Sequence, residues 1–380
     1  MKQFARIAFA IAAASLIASC SRPIHVKIGF VGPLSGPIAD FGKDMLRGTE
    51  VAIDELNHDG FIKIDGRPVH FELVVEDDKS DPEVGKAAAK RLLDAGIAGA
   101  IAHANSGVAI PNAAQFAAAG VPGFSLATNP KYTRMGYKTV FRVQADDVEQ
   151  GNAMTRLADK LKVKAPFIVD DKTTYGIGLS EVMVAAYKAK NMTVPVESVA
   201  APKDSAQADY SELAKKIIAA NADAVLYGGT EEVALPLLKA LRAAGSQAKF
   251  VGGDGMCSLS AVKHAGPDAD TRYYCTTPGV PASWLSNGIN FVQLFQAKFK
   301  SNPGPQAATT YESVHIMADA MQRANSTDPK VYLPQLTKEP FQGKIQGAVS
   351  FDAKGDIVNA TVVAFQANNG ELVEQRDMTR

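Results

Sequence analysis

Small hydroxyl and amide side chains gather where two apolar runs end. His103-Ala-Asn-Ser-Gly107 closes one run and opens a helical pattern, and Ser125-Leu-Ala-Thr-Asn-Pro130 closes the next. At a helix N-terminus the orphan backbone N–H groups and the dipole favour an anion, and a hydroxyl adds a donor. Turns of this kind suit a carboxylate. Other constellations are weaker. Gly123-Phe-Ser-Leu-Ala127 resembles a nucleophile elbow around Ser125, but Ala127 stands where the second glycine belongs. Gly176-Ile-Gly178 lacks the third glycine of a dinucleotide fingerprint, and there is no P-loop. His25, His58, His70, His103, His264 and His315 show no metal-ligand spacing with one another or with cysteine. No metal, cofactor or catalytic residue is therefore expected, and His103 reads as a structural histidine at the end of a buried strand.

Elements that could position the two turns alternate along the chain. Val26, Ile28, Phe30 and Val31 form a strand that breaks at Gly32-Pro33, and the apolar spacing of Met45, Val51, Ala52 and Leu56 predicts a helix over 43–58. Further strands are expected at 69–75, 99–104, 121–126, 167–171, 224–227 and 250–253. Helices are expected at 82–93 behind an Asp81 cap, from about 110, and at 178–190, 210–220 and 231–244. This alternation defines an α/β protein with parallel sheets covered by helices. At 380 residues, two domains are the prior. Forty basic residues balance forty acidic ones, which argues against nucleic-acid or charge-driven membrane partners.

Lys2 and Arg6 precede an apolar run, Ile7 to Ala18, that is too short to span a bilayer comfortably. Residues 1–20 read as an export signal, and Ile17-Ala-Ser-Cys20 resembles a bacterial lipobox that would leave Cys20 lipidated. The alternative is an ordinary secretory signal in which Cys20 has no role. Export permits disulfides, and without Cys20 two cysteines remain, Cys257 and Cys275, which are expected to pair.

The run IGFVGPLSGPIADFG (28–42), followed by a helix ending in Asn57-His58-Asp59-Gly60, resembles the opening of the periplasmic branched-chain amino-acid-binding proteins, and the similarity continues to about residue 365. These are solute receptors of ABC importers. The resemblance implies the type I periplasmic-binding fold: two lobes, each a parallel sheet covered by helices, with three hinge crossings. The crossings fall near Gln144-Ala-Asp-Asp147, Thr276-Thr-Pro-Gly279 and Phe351-Asp-Ala-Lys-Gly355. Lobe I is then 26–146 plus 278–350, and lobe II is 147–277 plus 351–380. The resemblance also implies a monomer in the periplasm, an inner-membrane ABC permease as partner, and membrane contact only through a lipid on Cys20.

It gives the ligand's groups addresses as well. Ser106 matches the serine that binds the ligand carboxylate. Thr128 matches the threonine that binds the head group, and the Leu126 carbonyl accepts from the ammonium. Tyr175 in Tyr-Gly, and Asp254 in Gly252-Gly253-Asp254-Gly255, match the second-lobe tyrosine and acidic residue, the latter facing the ammonium. Phe41 matches the aromatic of the first loop, and Asn105 joins the ligand set beside Ser106. Ser106 and Thr128 could also be plain helix N-caps, and Phe41 plain core. The family's usual first-domain disulfide is absent, since its positions match Lys79 and Asn105. One departure stands out: Tyr227-Gly-Gly229 is followed by Thr230, where leucine-type members often carry an aromatic. A branched-chain or other small aliphatic amino acid is the expected ligand. Thr230 leaves open an amide, urea or a small organic acid, and a ligand-sensing role is the further alternative. Trp284 reads as structural.

Overall fold

The structure, a computed structural model, describes residues 22–60, 62–202 and 208–375. The export segment and Cys20 lie outside the described residues. The strands are β1 (Ile24–Gly32), β2 (Lys63–Ile64), β3 (Arg67–Asp77), β4 (Gly99–Ala102), β5 (Gly123–Phe124), β6 (Val140–Phe141), β7 (Pro166–Asp170), β8 (Val196–Ser198), β9 (Ala224–Gly228), β10 (Lys249–Gly252), β11 (Tyr273–Thr277), β12 (Phe341–Gln342), β13 (Ala348–Val349), β14 (Val363–Asn368) and β15 (Glu371–Glu374). The longer helices are α1 (Ala39–Asp59), α2 (Pro82–Asp94), α3 (Ser106–Ala119), α4 (Asp147–Lys160), α5 (Thr174–Ala189), α6 (Ser211–Ala219), α7 (Glu231–Ala243), α8 (Leu259–Ala265), α9 (Gly288–Phe299) and α10 (Pro305–Ala324).

Two large sheets result, one per lobe. The first has the order β2-β3-β1-β4-β5-β6 and the second β15-β14-β11-β10-β9-β7-β8. Their interiors are parallel, as expected, but β2, β14 and β15 run antiparallel at the edges. Helices cover both faces because alternate side chains feed two cores. In β1, Val26, Ile28 and Phe30 join a core with Met45 and Leu56 of α1 and Tyr311 and Met317 of α10. Val31 faces the other way, onto Ala88 and Leu92 of α2 and Phe116 of α3. The second sheet repeats the arrangement, with α6, α7 and α8 on one face and α4 and α5 on the other.

Helix α1 packs on α10 at Gly48, where an added Cβ would stand 2.0 Å from the Ala307 carbonyl oxygen. Asp44 of α1 accepts from the Gly304 and Ala307 N–H groups, both at 2.9 Å, and so caps α10 from outside. Glu312, on the far side of α10, accepts from Lys344 N and Ile345 N and anchors the loop between β12 and β13. Burial pushes its carboxyl up to about 7.

Three helices begin four residues earlier than apolar spacing predicts: α1 at Ala39 rather than 43, α3 at Ser106 rather than about 110, and α5 at Thr174 rather than 178. Asn105 caps α3 by accepting from Val108 N at 3.0 Å, and Thr173 caps α5 by accepting from Gly176 N at 2.9 Å. Their first turns carry Phe41, Ser106 and Tyr175, which line a cavity between the lobes. Side chains aimed at a cleft do not follow the core period, so the period starts a turn late. Phe41 and Tyr175 are therefore helical residues, not loop residues. Trp284 is not a buried anchor: it is 40% exposed and rests on Phe365, with ring centroids 5.5 Å apart.

Candidate ligand-binding site

The strand order fixes where a ligand can sit. In the first sheet the chain leaves β1 toward β3 and returns to place β4 on the opposite side. The second sheet does the same at β7, flanked by β8 and β9. Crevices open at the carboxyl ends of strands at such switch points. The loops beyond β1 and β4 in lobe I face those beyond β7 and β9 in lobe II across one cleft.

Between them lies a cavity of about 50 Å³ lined by all eight expected ligand residues: Phe41, Asn105, Ser106, Leu126, Thr128, Tyr175, Thr230 and Asp254. Past Ile38, Phe41, Asp254 and Gly255 it opens into a cleft of about 580 Å³ with walls that include Pro37, Leu259, Pro281, Val292 and Phe365. The small cavity thus leads into a larger cleft whose walls mix apolar side chains with polar ones such as Asp44, Glu231 and Gln296.

The lobe I half is built on the loops after β4 and β5. Ser106, first residue of α3, is buried, and its Oγ accepts from Asn129 N at 3.2 Å, leaving its hydroxyl proton free for another acceptor. Thr128 is buried, with its carbonyl engaged by Asp147 N at 2.8 Å. The Leu126 carbonyl already accepts from Gln144 Nε2 at 2.7 Å, so one lone pair remains for a ligand. Asn105 uses its side-chain oxygen as the α3 cap, and its place in the cavity follows from that structural duty. Arg142, wholly buried, donates to the carbonyls of Ala127 at 2.8 Å and Asn129 at 3.1 Å and pairs with Asp356. It holds the Thr128 loop in shape. Asn129 also reaches lobe II, donating through Nδ2 to the Thr174 carbonyl at 2.9 Å.

Lobe II contributes Tyr175, Thr230 and Asp254. Asp171 joins the ends of β7 and β9 by accepting from Thr173 N at 3.0 Å and Thr230 N at 2.8 Å. Tyr227 donates to the Thr230 carbonyl at 2.9 Å. Tyr175 donates to Asp254 Oδ1 at 2.8 Å. That contact needs Gly253, since a Cβ there would stand 2.3 Å from the Tyr175 hydroxyl oxygen. Burial raises the Asp254 carboxyl above the usual range, opposed by Tyr175 and Gln150. Behind the Asp254 turn, the sulfurs of Cys257 and Cys275 are 2.08 Å apart.

Sequence reasoning missed Asp147. It is fully buried at the start of α4, and neither carboxylate oxygen has a hydrogen-bond partner of normal geometry. Burial and then Asp254 push its carboxyl well up, and the Thr128 hydroxyl and Arg142 only partly offset them. A signal was present in Asp146-Asp147. Asp146 alone caps α4, accepting from Val148 N at 2.9 Å and Glu149 N at 3.1 Å, so the second acid had no capping task. Gln150, one turn on, lies with its Oε1 3.4 Å from the Tyr175 hydroxyl oxygen, whose proton goes to Asp254.

Ser125 is no nucleophile. Its buried hydroxyl donates to the His103 carbonyl at 2.7 Å, and the His103 ring is turned to Asp78, with Nδ1 2.8 Å from Oδ2. Among the described residues, no group of acidic, histidine or cysteine side chains could hold a metal ion, and no helix is long and apolar enough to cross a membrane.

Two α/β lobes around a polar cage at facing switch points define a solute receptor of the type I periplasmic-binding class. The sequence profile described as "Periplasmic binding protein" matches residues 25–371, and the chain belongs to that family of periplasmic, non-enzymatic receptors. Homolog 2 of the Leu/Ile/Val-binding protein from Brucella abortus (strain 2308) is 31% identical over 354 residues, covering 91% of each chain. The leucine-binding protein LivK from Thermotoga maritima superposes with a TM-score of 0.82 at 25% identity, over 92% of this chain and 97% of that one. The branched-chain amino acid transporter substrate-binding protein LivJ from Streptococcus pneumoniae, solved with isoleucine, gives 0.80 at 26% identity, over 92% and 100%.

Proposed function

We propose that this chain is the solute receptor of an ABC importer and closes on a branched-chain or other small aliphatic amino acid. The observation that carries the reading is the lining of the cage: hydroxyl and amide groups of lobe I share one cavity with the Asp254 carboxyl of lobe II, and a wider cleft opens beyond. Ser106 and the Thr128 hydroxyl hold the ligand carboxylate. Leu126 O and Asp254 meet the ammonium, with Tyr175 orienting Asp254. Phe41 and Thr230 border the side chain. A ligand touching both lobes favours the closed form, which is then presented to the inner-membrane permease. The relatives named for Leu/Ile/Val or leucine, and the isoleucine complex, support the ligand class.

The chain crosses between lobes near residues 146, 277 and 351 in this reading. The third crossing is completed only after Ile357, because Arg142 N donates to Gly355 O at 2.9 Å and Ile357 N to Arg142 O at 3.1 Å. The receptor acts as a monomer, held at the membrane by a lipid on Cys20.

A thermal-shift screen of residues 21–380 against the common amino acids, amides and small organic acids tests the ligand class. A ligand of the folded state alone stabilises it by about 2.7 kcal/mol at a hundred times its Kd. Shifts with leucine, isoleucine or valine are expected. A shift only with a ligand lacking an ammonium group would retire the amino-acid reading.

The Cys257–Cys275 pair is proposed to hold the Asp254 turn against β11. Titration of denatured, unreduced protein is expected to find neither thiol free. Loss of the bond, which closes a loop of 18 residues, is expected to lower stability by about 3 kcal/mol. Two titratable thiols would remove the bridge.

A further inference from the structure

We infer that Asn129 is a positioning residue for ligand capture: a latch that fastens the Ser106 and Thr128 rim of lobe I to the first turn of α5 in lobe II, and so slows the release of an amino acid that it does not touch. This rests on the amino-acid reading above and adds a release step to it.

Each polar group of Asn129 has a task, and together the tasks tie three parts of the site to one another. Its N–H donates to Ser106 Oγ at 3.2 Å, and its carbonyl accepts from the buried Arg142 at 3.1 Å. Its side-chain oxygen accepts from Lys131 N at 2.9 Å, closing a short turn that fixes the plane of the amide. That leaves Nδ2 aimed at lobe II, where it donates to the Thr174 carbonyl at 2.9 Å. One end of the amide faces a donor and the other an acceptor, so it fits in one orientation only. Asn129 is 9% exposed, and water competes little for the bond.

Lobe II is shaped to receive this side chain. Gly178 lies one turn after Thr174 on α5, and a Cβ there would stand 2.3 Å from Asn129 Nδ2. The missing side chain leaves the notch in which the amide sits. A Cβ on Gly107, in the first turn of α3, would stand 3.8 Å from Thr174 Oγ1, so the starts of α3 and α5 face each other at contact distance. Asn129 belongs to the loop between β5 and β6 of the first sheet, and Thr174 opens the helix after β7 of the second. Their chain neighbours, Thr128 and Tyr175, both line the cage. A bond flanked by cage residues from both lobes breaks when that cage opens. Opening therefore costs the bond from Asn129 to Thr174 as well as the ligand contacts, whereas entry into the open form meets neither. The latch acts on release and not on encounter.

Stopped-flow measurement of leucine binding and release by the mature chain separates the two. Asn129→Ala is expected to release leucine about threefold to tenfold faster, the worth of one buried hydrogen bond, with the association rate unchanged. Gly178→Ala fills the notch from the other lobe. It is expected to speed release by a similar factor, and it carries the test alone if the first variant does not fold. The double variant is expected to release leucine no faster than Asn129→Ala, because the added methyl then meets the space left by the amide. Wild-type release in Asn129→Ala, with only its denaturation midpoint lowered, would make the residue purely structural and overturn the latch. Effects of the two variants that multiply would overturn it as well, and either result leaves the amino-acid reading intact. Absence of binding of any amino acid to the wild type would overturn both.

Discussion

Replacing Asp254 with alanine is expected to weaken amino-acid binding by about 2–5 kcal/mol, the scale for truncating one partner of a buried charge pair. That is a loss of affinity from about thirtyfold to a few thousandfold. Asp254 lines both the cage and the wider cleft, so it is the acid a ligand meets as the lobes close. Its removal also strands the Tyr175 hydroxyl, which donates to it at 2.8 Å. Ser106→Ala removes a single hydroxyl and is expected to lose about 1–3 kcal/mol, the penalty for an unmet buried group. Calorimetry on both variants checks the ranking. Wild-type affinity in both would discard the site assignment while leaving the fold untouched.

Arg142→Leu is expected to destabilise the protein by about 3–5 kcal/mol, measured by chemical denaturation. The guanidinium is buried, and its loss leaves Asp356 without its cation and the Ala127 and Asn129 carbonyls without donors. Leucine fills much of the space, so the penalty reports the broken charge pair rather than a cavity. The double variant Arg142→Leu with Asp356→Leu is expected to recover part of the loss, since it removes both charges together. Because Arg142 also shapes the loop carrying Thr128, the single variant is expected to bind ligand less well even under conditions where it is folded. An unchanged denaturation midpoint would show that the pair contributes nothing measurable.

Much of the site was legible before the fold. Ser106 and Thr128 follow strand ends, where short polar residues have no core to fill, Tyr175 and Asp254 were reached only through the family resemblance, and the structure gathers all four around one cavity. Asp147 was hidden because a second acid after Asp146 looks like part of a helix cap, and only burial shows that it has no such partner. Asn105 was legible as a polar turn residue, but its main task is the α3 cap. The antiparallel edges β14 and β15 were also missed, since short edge strands carry little apolar period of their own.

The residue pattern alone determined the α/β class, the alternation of strands and helices, and the placing of hydroxyl and acidic residues at strand ends. It could do so because apolar period and turn chemistry are local properties, written within a few residues of each other. Tertiary structure alone decided which strand ends face one another, that a buried arginine reaches Asp356, and that Asp147 is buried without a hydrogen-bond partner of normal geometry. Those outcomes depend on sheet order and desolvation, which arise when separate segments pack and which no single segment encodes.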